Sequence, residues 1–148
     1  MIKILHPIAG ILAFLTILTF WLSTVAVELG GDPVAIASVK LGILWGLLLL
    51  IPAIATAGAT GFRLGGRSQR PDIMHKRRRM PIIALNGILV LVPCAIVLQQ
   101  RASAGQFDAT FTAIQGLELM AGAVNLVLLG LNIRDGFRLS RRFGMATT

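Results

Sequence analysis

With a single cysteine, Cys94, the chain can form neither an intrachain disulfide nor a cysteine metal cluster. Histidine is nearly as scarce, with only His6 and His75, and six acidic residues stand against fourteen Lys and Arg. There is no His-Glu-x-x-His pair, Walker-type glycine loop, nucleophile elbow or pair of catalytic carboxylates. Repeats and low-complexity tracts are also missing, and no second domain is visible. An enzyme acting alone is therefore not expected.

Apolar sequence is what the chain has in excess. Mean hydropathy is +0.81, and 55% of the 148 residues are hydrophobic, too many for a small soluble domain to hide from water. Four stretches, at about 7–28, 41–60, 80–98 and 110–133, approach the ~20 apolar residues needed to cross a hydrocarbon core. The first is longer than the 7–15-residue apolar core of a cleaved signal and is read as a span. The expected fold is all-α, a single integral membrane domain built as a four-transmembrane-helix bundle.

Twelve of the fourteen basic residues fall in three places: Lys3, the connection 61–79 and the tail 134–148. The other two connections carry only Lys40 and Arg101. Basic residues in short loops are retained on the cytoplasmic side, so both termini and the loop 61–79 are expected inside. The net charge of +8 thus sits at membrane edges and points to anionic inner-leaflet lipid rather than nucleic acid. Arg67, Arg70, Lys76, Arg77, Arg78 and Arg79 form a polybasic surface clamp, while Arg134 and Arg138, four residues apart, could pair with Asp72 or Asp135 or bind lipid phosphate. Trp21 and Trp45 are expected at the outer headgroups.

Within the spans, polar residues fall into a pattern. Gln115, Glu118, Gly122, Asn125, Leu129 and Asn132 follow at alternating spacings of three and four, one stripe of a helix. Facing lipid would be costly, so this stripe is expected to face other helices or a wet cavity. A seam of His6, Ala9, Ala13, Thr16, Phe20 and Ser23 is its counterpart in the first span. Gly42, Gly46, Ala53, Thr56 and Thr60 share a face of the second, and Asn86 enters the third near its cytoplasmic side. Such residues ordinarily pack helices together. Glu118 departs from that account, because an ionisable group two turns inside a span is by default a functional hypothesis. It could carry a proton, bond a quinone-like headgroup, or bond Thr19, Ser23 or Gln115. Pro52 and Pro93 are expected to kink their spans.

The topology puts His6 and His75 at the same membrane edge, where two imidazoles could ligate a haem b iron with the basic loop on the propionates. The run through Gln115, Asn125, Asn132, Arg134 and Asp135, with the His6–Pro7 opening, resembles the uncharacterised small four-span inner-membrane proteins of bacteria. That resemblance implies a bacterial inner-membrane location and supplies no reaction. Three functions remain: a non-catalytic subunit or scaffold of a homo-oligomer or larger membrane complex; a haem- or quinone-linked electron carrier using His6, alone or with His75; and a small oligomeric transporter or channel with its path along the fourth span.

Overall fold

In a computed structural model, which describes residues 2–65 and 71–144, the chain is all-helical, with no strand among those residues. Side chains are described for all of them except Lys3, 71–77 and 139–144. The helices are α1 (Ile2–Gly30), α2 (Pro33–Gly65), α3 (Pro71–Asn86), α4 (Val92–Ser103) and α5 (Ala109–Gly144), with a π-helical turn, Gly87–Leu91, joining α3 to α4. Four helical spans, Ile4–Gly30, Pro33–Leu64, Arg78–Ser103 and Ala109–Arg138, are each long and apolar enough to cross a membrane.

The helices run further than hydropathy suggests, because polar residues end a hydrophobic run without ending a helix. Lysine and arginine are good helix formers, and the stretch 61–79, expected as a loop, is helical over 61–65 and again over 71–79. The connection between the first two spans, which hydropathy leaves open from 29 to 40, shrinks to Gly31 and Asp32. Gly31 takes φ +67°, the left-handed conformation glycine adopts without cost, and its N–H bonds the Val27 carbonyl at 3.0 Å. Asp32 then caps α2, accepting from the Val34 and Ala35 amides at 3.1 and 3.3 Å, and Pro33 fills the first helical position. Before the last helix α4 continues to Ser103, and Asp108 caps α5 by accepting from the Phe111 amide at 2.9 Å.

Proline accounts for the π-helical turn. Pro93 has no N–H to give the Leu89 carbonyl, and its ring would strike that oxygen. The chain instead widens, and the Val92 N–H closes the turn on the Gly87 carbonyl.

Neighbouring helices meet in a ring, α1 against α2, α2 against α3 and α4, these against α5, and α5 back against α1. The centre is apolar, with Ala13, Ile17, Leu50, Ala53, Ile83 and Leu129 packed together, and a second cluster of Ile36, Cys94, Leu98, Ala102 and Phe111 fills the end carrying the two short connections. Such packing depends on close van der Waals fit. Gly46 shows how close: a Cβ there would collide with the Phe20 ring of α1. Gly42, the other half of the Gly-x-x-x-Gly pair, meets nothing and faces outward. Large apolar side chains, including Trp45, Leu48, Met120 and Val127, cover the outside.

Candidate functional site

Helix α5 carries the polar interior at three levels. Near the short-connection end, Lys40 Nζ donates to Glu118 Oε2 at 2.6 Å, and Gln115 Nε2 donates to the same oxygen at 3.1 Å. The Lys40 side chain is 0% exposed and that of Glu118 is 11%, so this is a buried ion pair. It is also diagonal. α2 and α5 are not neighbours in the ring, and the two long side chains cross the bundle to join them. Sequence reading put Lys40 in an outer connection. The structure puts it on the inward stripe of α2 with Ile36, Ile43, Leu50, Ala53, Ala57 and Thr60, all buried. That three-and-four spacing is present in the sequence, where the lysine interrupts the apolar run.

Around the pair lie two buried acceptors, Glu28 Oε1 and Gln115 Oε1, with no protein hydrogen bond. Beside it a small cavity of about 50 Å³ is lined by Thr24, Trp21, Gly122, Glu118 and apolar side chains. A cavity of that size with polar groups such as Thr24 and Glu118 on its wall can hold a water. Thr19 and Ser23, expected as partners of Glu118, instead donate to their own helix, at Leu15 and Thr19 carbonyls. Thr16 does the same at Leu12. Trp21, expected among headgroups, is half-buried and donates Nε1–H to the Leu119 carbonyl of α5 at 3.0 Å. Gly122 makes room for that indole, since a Cβ there would lie 3.2 Å from Trp21 Cδ1.

At mid-bundle, Asn86 Nδ2 donates to Asn125 Oδ1 and to the Ala121 carbonyl, both at 2.9 Å. Asn125 is 0% exposed and reaches the Ile83 carbonyl at 3.4 Å. The π-helical turn begins just after Asn86, so the proline-driven widening sits directly beside the α3–α5 bond.

At the far end, Arg79 Nη1 donates to Asp135 Oδ2 at 2.7 Å and reaches Asn132 Oδ1 at 3.5 Å. Arg134 approaches the other Asp135 oxygen at 3.4 Å. Arg79, read as a lipid clamp, is thus an interhelix ion pair, while Arg78, Arg134 and Arg138 are exposed. Arg67 and Arg70 lie outside the described residues. His75, Lys76 and Arg77 fall in α3, with side chains outside those described.

His6 packs between α1 and α2. Its Nδ1 lies 3.0 Å from the Ala57 carbonyl and 3.1 Å from Thr60 Oγ1, and its ring rests on Gly61, where a Cβ would come within 2.9 Å. The Thr60 hydroxyl donates to the Thr56 carbonyl, so both oxygens facing Nδ1 are acceptors and Nδ1 carries the proton. Among the described residues no group of three or more His, Cys, Asp or Glu side chains could hold a metal ion.

Comparison with protein-family models, curated proteins and solved structures finds no match for this chain.

Proposed function

We propose that the protein is a multi-pass integral protein of the bacterial inner membrane, with both termini and the α2–α3 connection in the cytoplasm, acting as a non-catalytic subunit or scaffold of a membrane complex. One observation carries this reading: the amide and ionisable groups deep in the spans, Lys40, Glu118, Asn86 and Asn125, bond helix to helix inside the bundle, while large apolar side chains cover much of its outside. A passage along α5 gains less support, because the apolar cluster of Ala13, Ile17, Leu50, Ala53, Ile83 and Leu129 packs the centre of the bundle. The outward Gly42 offers bare backbone to a further helix, which favours assembly with a second copy or another subunit.

Extraction into native lipid nanodiscs followed by mass measurement tests the reading. A particle holding at least two protein chains is expected; a uniform single-chain particle, at native expression level, would sink it. Topology is tested separately in a Cys94→Ser background. Single cysteines at 67–79 should react only from the cytoplasm and one at Gly105 only from outside, and the reverse pattern overturns the orientation.

A second reading is kept by one specific observation. Donation from Nδ1–H to a backbone carbonyl is how ligating imidazoles are commonly oriented, and His6 has that arrangement toward Ala57. His6 would then help hold a haem b iron, a group that would supply one-electron chemistry when bound. An oxidised and reduced visible spectrum of protein purified with haem available decides it. A stoichiometric Soret band lost in His6→Ala would establish the carrier, and a featureless spectrum would remove it.

A further inference from the structure

Between α1 and α5, at the end of the bundle carrying Arg79 and Asp135, an open groove of about 700 Å³ is lined by Phe14, Gly130, Ile133, Arg134, Phe137 and Arg138. Its volume falls within the ~300–1,000 Å³ of ordinary ligand sites. The composition of the wall divides by height. Phe14, Gly130, Ile133 and Phe137 make an almost wholly apolar slot, and the stems of Arg134 and Arg138 continue it toward the helix end. Gly130 leaves the wall bare: a Cβ there would make only ordinary contact with Phe14 Cε2 at 3.7 Å, so an added side chain would extend into the groove.

Charge at the mouth is unbalanced. Asp135 is engaged by Arg79 at 2.7 Å, and Arg134 reaches only its other oxygen at 3.4 Å while remaining 53% exposed. Arg138, one turn further on, is exposed too. Two guanidiniums above an apolar slot match the chemistry of one molecule in particular, an acyl chain with a phosphodiester at its head.

We infer that this groove is a binding site for an anionic phospholipid of the inner leaflet, with an acyl chain along Phe14, Gly130, Ile133 and Phe137 and the phosphate between Arg134 and Arg138. The inference rests on the membrane reading above and makes it specific: retention is a property of one groove rather than of the basic surface as a whole. Arginine serves here better than lysine because its planar fork can grip two phosphate oxygens together.

The test is native mass spectrometry of the protein taken from nanodiscs of equal phosphatidylglycerol and phosphatidylcholine. Wild type is expected to retain one phosphatidylglycerol in preference to phosphatidylcholine. Arg134→Gln with Arg138→Gln should abolish that preference, by about five-fold for each arginine. Gly130→Leu should abolish retention of both lipids while leaving the charges in place. Arg63→Gln, which removes an exposed cation on α2, should leave retention unchanged. Equal loss in Arg63→Gln would mean diffuse surface attraction and overturn the site, as would full retention in Gly130→Leu. Helical circular dichroism of each variant separates loss of lipid from loss of fold. Protein that stays dispersed in buffer without detergent or lipid would refute the membrane reading itself, an outcome distinct from unselective retention in nanodiscs.

Discussion

At the scale of single residues the Lys40–Glu118 pair has the largest consequence. Removing one partner leaves a buried charge uncompensated, whereas removing both leaves two apolar side chains of similar reach. Lys40→Met and Glu118→Leu should each lower stability by roughly 3 kcal/mol, and the double variant should lose much less than their sum. Unfolding in mixed detergent, followed by the fluorescence of Trp21 and Trp45, measures the cycle. Strict additivity would show that the 2.6 Å contact carries no coupling. Asn125→Leu should cost about 1 kcal/mol, the scale of one interhelix hydrogen bond in a membrane, by the same measurement. Glu118 itself stood out in the sequence because acid is rare in a span, yet its partner did not, since Lys40 reads as interfacial until its place on the Ile36–Ile43–Leu50 stripe is noticed. Asp135 was visible as a partner for Arg134, but the shorter bond comes from Arg79, 56 residues away in the chain. No local spacing rule reports such a pair.

Among the elements, the ends of helices and the contact between α1 and α2 make the clearest predictions. The Phe111 amide, with the Arg101 guanidinium at 2.9 Å from both oxygens, holds the Asp108 carboxyl below its usual 3.8. A carboxylate with a depressed pKa stabilises the fold above its unfolded value, and that stabilisation is lost as pH falls through the folded value. The first turn of α5 should therefore loosen only below about pH 3.8, read from the Phe111 amide resonance on acid titration. Asp108→Ala should abolish the transition and leave that turn loose at neutral pH as well. Gly46→Ala, by pushing on the Phe20 ring, should cost on the order of 1–3 kcal/mol through overpacking. Caps of this kind were legible in principle: Gly31, Asp32 and Pro33 spell a helix stop and start. Hydropathy hid them because it measures where the chain is apolar and says nothing of where its backbone changes direction. The kink expected at Pro93 takes the form of a π-helical turn, which the proline position alone does not specify.

For the whole molecule, composition carried most of the architecture: four apolar spans and a polar stripe on the last are features of residue order, and the helices follow them. The cyclic arrangement of the helices was not legible, because alternation of apolar and basic segments gives order along the chain but no angle around the bundle. The diagonal pair also bears on biogenesis. Lys40 precedes Glu118 by 78 residues, and α5 is made after the other described helices. In the proposed membrane setting, the α1–α2 hairpin thus leaves the ribosome with a cation on its inward face and no counter-charge yet synthesised. Lys40 must wait at the outer water interface or inside the insertion machinery, and the arrival of the fourth span is what lets it move in. Assembly is then ordered in time, with the first hairpin able to seat fully only after α5, so that a chain truncated before residue 109 is left with a lysine it cannot pair with Glu118.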